Sequence, residues 1–253
     1  MTITVSPQTA FVFLLIFARM GSMVMAMPAL GDGHVPSRIR LVFALVLTLV
    51  MMPLVRDAYG DIPPTIGAVM VAMLSEIVIG IFIGLSARLL TSAIQIAGTA
   101  IAFQSGLAFA QNVDPTQGGT QSAIVSTFMA LLATTLIFAL DLHYLLLAAV
   151  RDSYDLFKPG AALPFGDFGR TAVHIVAGAF KVGIQLAAPF LVFGLVFYMG
   201  LGVLSRLMPQ LQVFFLAMPA NIMFGFLLLM LLISSMMLWY LDYFATTMEQ
   251  FLK

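Results

Sequence analysis

The stretch VGIQLAAPFLVFGLVFYMGLGVL (182–204) contains no charged side chain over 23 residues. A helix needs roughly 17–25 apolar residues to cross a hydrocarbon layer about 30 Å thick, so this stretch is long enough to span a membrane. The polar segment SRLMPQ (205–210) ends it, and a second apolar stretch follows over 212–241. Pro209 cannot continue a helix, and Arg206 complements the dipole at a helix C-terminus. The pattern predicts an antiparallel hairpin of two long apolar helices.

The composition of the whole chain is that of an integral membrane protein. Of its 253 residues, 62% are hydrophobic and 9% are charged, and the mean hydropathy is +1.08. A water-soluble domain needs more polar surface than this sequence provides. The 11 basic residues are balanced by 11 acidic ones, which argues against a nucleic-acid partner. The absence of cysteine excludes disulfides and thiolate metal sites.

Six apolar runs are candidates for membrane-spanning helices. They cover residues 8–29, 40–55, 65–110, 121–150, 171–204 and 212–243. The third run is too long for one straight span, so we expect it to bend or divide between Thr91 and Gly98. The first charge, Arg19, lies inside the first run, so we do not expect a cleavable signal peptide. These features predict an all-α, polytopic membrane protein with a single helical unit over 1–253.

Several ionisable side chains lie inside or at the ends of these apolar runs. A charge facing lipid at mid-depth is costly, so each of them must face protein or water. We favour polar groups buried at helix contacts over a proton pathway. The candidate buried polar residues are Arg19, Glu76, Arg88, Asp141, His143 and Lys181.

Glycines recur at helical spacing in the third run, where they form two ridges. The first ridge contains Gly80 and Gly84, and the second contains Gly98 and Gly106. Small residues at this spacing let a second helix approach closely, so both ridges are predicted helix-packing sites. Pro189 and Pro219 lie inside the two apolar stretches of the hairpin, and we expect long, kinked helices packed in an assembly.

The sequence contains none of the common enzyme signatures. It has no phosphate-binding GxxxxGK[ST], no HExxH and no GxSxG. Asp141 and His143 are two residues apart, so on a helix they would point to different faces. We therefore predict that the protein is not an enzyme, with no catalytic residue, no metal ligand and no cofactor.

Four segments resemble the FliR family of flagellar biosynthesis proteins, which are export-gate subunits of type III secretion. Residues 188–225 resemble its C-terminal signature, and residues 19–53 are similar to its N-terminal pattern of Arg, Pro and Gly. FQSGLAFAQNVDPTQGG (103–119) resembles its Q-x-G segment and D-P loop, and ALDLHYLLL (139–147) resembles its Asp-Gly-His segment. The chain departs from the family's usual Gly, Asn and Lys at Leu142, Gln212 and Asn221.

The resemblance implies a flagellar export-gate subunit in the bacterial inner membrane, at the basal body. Such a subunit forms part of the channel core through which unfolded flagellar proteins cross the membrane. The implied partners are FliP-like and FliQ-like gate subunits, together with FlhB-like and FlhA-like export components. The resemblance also implies a FliP-like part over 1–170 and a FliQ-like helical hairpin over 171–253.

The resemblance implies two functional sites as well. Its D-P loop looks like a plug of the closed pore, formed here by Leu107, Phe109, Gln111, Asn112, Asp114 and Pro115. Its hairpin tip looks like part of the channel entrance, formed here by Arg206, Pro209, Gln210 and Gln212.

Other functions are compatible with parts of the sequence. An ion-coupled secondary transporter would use Glu76, Asp141 and His143 as a proton relay, although the inverted repeats typical of such proteins are not visible. A virulence-type injectisome homologue and a purely structural assembly factor are further alternatives.

Overall fold

The computed structural model describes residues 6–31, 35–60, 62–107, 124–161, 163–210 and 212–250. The regular elements of this part of the chain are all helical, which confirms the predicted all-α class. The helices are α1 (Pro7–Ala26), α2 (Ser37–Val55), α3 (Ile66–Gln104), α4 (Ile124–Ala139), α5 (His143–Leu156), α6 (Phe165–Leu207) and α7 (Val213–Glu249), and a short 3-10 turn (Arg56–Ala58) follows α2.

Five of the helices in the described ranges are long and apolar enough to cross a membrane, namely α1, α2, α3, α6 and α7. A sixth span results if α4 and α5 are counted together, although they are bent by 71° where they meet. The protein is therefore a polytopic helical membrane protein.

The third apolar run was expected to bend or to divide, and the expected division is wrong. α3 continues for 39 residues through Thr91 and Gly98. A hydroxyl side chain is tolerated within a helix when it bonds back to the backbone of that helix. Thr99, for example, donates to the carbonyl of Gln95 at 2.8 Å.

The division occurs instead in the fourth run, between α4 and α5. Asp141 has a positive φ of 60° there, a left-handed conformation that ends a helix and that Asp tolerates better than most residues. The sequence reasoning missed this break because no proline or glycine marks it.

The predicted hairpin is formed by α6 and α7. α6 ends at Leu207, shortly before Pro209, with Arg206 in its last turn. The ring of Phe193 in α6 lies 6.0 Å from that of Phe224 in α7. Gly178, earlier in α6, faces Tyr243, later in α7, so the two helices run antiparallel. Both remain helical through Pro189 and Pro219.

The chain forms two compact units. Unit 1 consists of Met1–Leu90, Phe138–Ile175 and Phe244–Lys253, and unit 2 consists of Thr91–Ile137 and Val176–Tyr243. Because α3, α6 and α7 each contribute to both, these units do not follow a boundary at residue 170. The FliP-like and FliQ-like parts therefore stay a prediction about relationship to other proteins.

Candidate functional site

A buried ion pair lies at the centre of the polar contacts of unit 1. Arg19 of α1 is 0% exposed and Glu76 of α3 is 1% exposed. Arg19 Nε donates to Glu76 Oε2 at 2.5 Å, and its Nη2 donates to Oε1 at 3.1 Å. A two-bond pair of this kind fixes the relative orientation of the two side chains, because the planar guanidinium matches the planar carboxylate.

The remaining contacts of the Arg19 guanidinium come from the end of α5. Nη1 donates to Ser153 Oγ at 3.0 Å, and Nη2 donates to the carbonyl of Phe157 at 3.2 Å. The guanidinium carbon lies 3.9 Å from the centre of the Tyr154 ring, close enough for a cation–π interaction. One arginine thus connects α1, α3 and α5 and has polar or aromatic partners in place of water.

Tyr59, which follows the 3-10 turn, completes this cluster. Its ring meets that of Tyr154 edge-on, with centres 6.0 Å apart. Burial raises the pKa of Tyr59, and the nearby Tyr154 and Glu76 raise it further, so the hydroxyl is neutral at physiological pH. Sequence reasoning missed Tyr59, Ser153 and Tyr154, because nothing in their spacing points to an arginine in α1.

The first glycine ridge lies beside this ion pair, where α3 contacts α1. A Cβ atom added to Gly80 would collide with the Ser22 hydroxyl and the Arg19 carbonyl. One added to Gly84 would lie 2.6 Å from the Met23 carbonyl oxygen and 2.7 Å from the Ala26 Cβ. Both distances are far below van der Waals contact, so glycine is required for this helix spacing.

The second glycine ridge also makes close contacts within unit 2. A Cβ added to Gly98 would collide with the backbone of Ser126 in α4. Ser126 Oγ also donates to the Gln95 carbonyl at 3.1 Å. Gly106 has a positive φ of 75°, and a Cβ there would lie 3.2 Å from the Asn221 amide nitrogen.

The other candidate buried polar residues are not enclosed by this chain. Arg88, Asp141 and Lys181 are exposed on its surface. His143 is half-buried and stacks against Phe138 and Tyr144, with ring centres 5.3 and 4.3 Å apart. Their burial by other subunits stays a prediction.

The two sites implied by the resemblance are described to different extents. All four hairpin-tip residues are exposed, Arg206, Pro209, Gln210 and Gln212. Of the plug residues, only Leu107 is described, at a half-buried position. Five lie outside the described residues: Phe109, Gln111, Asn112, Asp114 and Pro115.

Comparison of the sequence with known proteins places the chain in a family. The family of bacterial export proteins, family 1, matches residues 10–247. The chain belongs to this family. Among its relatives, the flagellar biosynthetic protein FliR of Caulobacter vibrioides is 42% identical over 241 residues, which cover 95% of this chain and 96% of the relative. The FliR protein of Bacillus subtilis is 29% identical, with 94% and 92% covered, and that of Escherichia coli is 27% identical, with 82% and 78% covered.

Family membership confirms the predicted resemblance and makes the chain a subunit of the flagellar type III export apparatus. Neither the family nor these relatives favour the transporter or the injectisome.

Proposed function

We propose that this export-apparatus subunit lines part of a protein-conducting channel in the bacterial inner membrane, with unfolded flagellar proteins as its substrates. The observation that carries the proposal is the hairpin of α6 and α7. The two helices have 43 and 37 residues, which correspond to about 64 and 56 Å at 1.5 Å per residue. Because a bilayer core is only about 30 Å thick, such a hairpin extends well beyond lipid. That length suits a conduit built from several subunits.

The apolar surface of the chain supports assembly with other subunits. Large apolar side chains are exposed along both helices of the hairpin, and Met230 is 83% exposed. An apolar surface of this extent requires lipid or protein to cover it. The length of the hairpin beyond the bilayer favours protein for at least part of it. We infer FliP-like and FliQ-like gate subunits as direct neighbours, with FlhB-like and FlhA-like components of the same basal-body apparatus.

The exposed charges of the apolar helices support the same arrangement. Arg88 lies within α3 and Lys181 within α6, and both are exposed on the chain. A lipid-facing position for either side chain would be unfavourable. A neighbouring subunit or a water-filled lumen would provide polar surroundings for Lys181.

The hairpin tip is proposed to line the channel entrance, and a labelling experiment tests this role. The chain has no cysteine, so Gln210→Cys provides a single attachment point for a bulky thiol reagent. We expect the labelled gate to assemble and to lose secretion. Lys158→Cys, at an exposed position between α5 and α6, is the matched control and should secrete normally after labelling. Complete labelling of Gln210→Cys with unchanged secretion would make the tip an ordinary turn.

The D-P loop is proposed to plug the closed channel. Apolar Leu107 and Phe109 would supply a seal, and Gln111, Asn112 and Asp114 would make hydrogen bonds that separate at modest cost. Deleting residues 110–119 should leave assembly intact and should let ions leak through the closed complex. A control with these residues replaced by Gly and Ser at equal length separates loss of the plug from a shortened connection. A deletion that assembles and stays as tight as the parent in a conductance assay would contradict the plug.

A further inference from the structure

We infer that Lys181 and Asp242 form a docking site for an apolar helix of a neighbouring subunit, which places a carboxylate against Lys181 and a basic side chain against Asp242. Lys181 lies in α6 and Asp242 lies in α7. Both are exposed on the chain, and no described residue forms a hydrogen bond or an ion pair with either of them. This docking site rests on the proposed assembly with other gate subunits, and it adds the residues and the chemistry of one contact.

The two charges lie at similar positions along the hairpin. Gly178 of α6 faces Tyr243 of α7. Because the helices are antiparallel, Lys181 and Asp242 are displaced from this contact in the same direction, and they differ by about 3 Å along the axis at 1.5 Å per residue. The ring contact between α6 and α7 described above gives a difference of about 9 Å by the same count. Since a helix with its side chains is about 10 Å wide, one neighbouring helix can reach both charges.

Both charges lie on the outer sides of their helices. Gln185 is four residues after Lys181, so the two side chains share a face of α6. Both are exposed, whereas Val182 and Leu186 beside them are buried. No described residue forms a hydrogen bond with the Gln185 amide. In α7, Asp242 is likewise exposed. The outer surface of the hairpin therefore carries a cation, an anion and an amide that need partners.

Lys181 lies within an apolar surface and not at its edge. Val176 and Phe180 are 49% and 58% exposed before it in α6, and Ile184 and Val192 are 37% and 62% exposed after it. If Lys181 marked the boundary between lipid and water, the apolar side chains on one side of it would face water. A water-filled lumen would expose the apolar side chains on both sides. A dry contact with protein covers these side chains and supplies partners for the charge.

The charges define the chemistry of the partner. An ammonium group offers three donors and no acceptor, whereas an ionised carboxylate only accepts. In apolar surroundings each needs a group of opposite charge, because an unpaired charge there is costly. A helix with a carboxylate opposite Lys181 and a lysine or arginine opposite Asp242 satisfies both. The opposite signs also fix its orientation, since a reversed helix would bring like charges together.

The amount of neighbouring gate subunits that co-purifies with each membrane-inserted chain tests the docking site. Lys181→Glu places a carboxylate against the partner's carboxylate, and Asp242→Lys places two cations together. We expect each variant to reduce the recovered neighbour at least tenfold, because like charges in a dry contact repel. Lys158→Glu reverses an exposed charge between α5 and α6 and is the matched control, with native recovery. Native recovery in Lys181→Glu or in Asp242→Lys would overturn the docking site.

An exchange of the two charges distinguishes a neighbouring subunit from a contact within the hairpin. Lys181→Asp combined with Asp242→Lys should recover as little neighbour as the single variants, since the charges of the partner are unchanged. Restored recovery would mean that the two residues pair with each other, and it would overturn the docking site. If the native chain itself recovers no gate subunit, the proposed assembly fails. Native recovery that the charge variants leave intact contradicts the docking site alone.

The thiol of Gln185→Cys provides a second measurement that does not depend on a charge variant. The chain has no other cysteine. In the assembled complex in lipid vesicles, we expect this thiol to react at least tenfold more slowly than in the unfolded chain, with both a water-soluble sulfonated maleimide and a lipid-soluble maleimide. Fast reaction with the water-soluble reagent would place this surface in a lumen, and fast reaction with only the lipid-soluble reagent would place it in lipid. Either result would overturn the docking site.

Discussion

Unit 1 joins its helices around a buried pair of opposite charges, whereas unit 2 joins its helices with neutral hydrogen bonds. In unit 1, Arg19 has Glu76 and the end of α5 as partners. In unit 2, Asn221 and Ser126 each donate to a backbone carbonyl of α3. Removing one partner of a buried charge pair leaves the other charge uncompensated, which costs far more than a lost neutral bond. Breaking the polar contacts of unit 1 therefore costs more free energy than breaking those of unit 2.

The glycine ridges show what the units share. Both place glycine where the backbone or a short side chain of another helix comes closer than a Cβ would permit, at Gly84 in unit 1 and at Gly98 in unit 2. Close packing is thus common to the two units. The difference between them lies in the charge of the polar groups and not in how tightly the helices approach.

The largest expected effect comes from breaking the ion pair. Arg19→Met should destabilise unit 1 by about 3–5 kcal/mol, because Glu76 is left buried without its partner. The yield of gate complex co-purified with its partner subunits measures this. The double variant Arg19→Met, Glu76→Leu should recover part of the loss, since it removes both charges.

The exposed pair of Asp167 and Arg170 provides the control for the ion pair. These side chains are 3.0 Å apart and largely exposed, so Asp167→Asn should leave the yield nearly unchanged. Equal yields for Arg19→Met and Asp167→Asn would mean that the buried pair does not distinguish unit 1.

An intermediate effect is expected from the glycine ridges, and it should be similar in both units. Gly84→Leu forces a side chain against the α1 backbone and should lower the free energy of unfolding by about 1–3 kcal/mol or more. Gly98→Leu forces a side chain against α4 and should destabilise the protein to a similar extent. Gly67→Leu, in the same helix but with open space around it, should assemble normally. Normal complex yield from Gly84→Leu would show that α1 and α3 can separate without consequence.

The smallest expected effect comes from a neutral hydrogen bond of unit 2. Ser126→Ala removes the donor to the Gln95 carbonyl and should lower the free energy of unfolding by about 1 kcal/mol. For a chain of this size that corresponds to a fall of roughly 2–4 °C in the midpoint of thermal unfolding, measured on the assembled complex. Thr135→Ala removes a hydroxyl that bonds back to the Leu131 carbonyl of its own helix, and it should change the midpoint less. A larger fall for Ser126→Ala than for Arg19→Met would reverse the comparison between the units.

Much of the fold could be predicted from local patterns. The length of the apolar runs and the position of Pro209 indicated the helices and the hairpin, because these properties act on neighbouring residues along the chain. The continuity of α3 and the break at Asp141 could not be predicted in the same way. A left-handed Asp depends on how the two helices on either side of it pack, and the local sequence does not contain that information.

The sequence by itself determined that this is a helical membrane protein of the bacterial export family, since composition, run length and extended similarity need no knowledge of contacts. Only the tertiary structure decided which polar residues meet. Arg19 and Glu76 are 57 positions apart and form a buried pair, whereas Arg88, in the same helix as Glu76, is exposed on the chain. Two residues with equally apolar neighbours in sequence differ in this way because burial depends on which helix packs against each face.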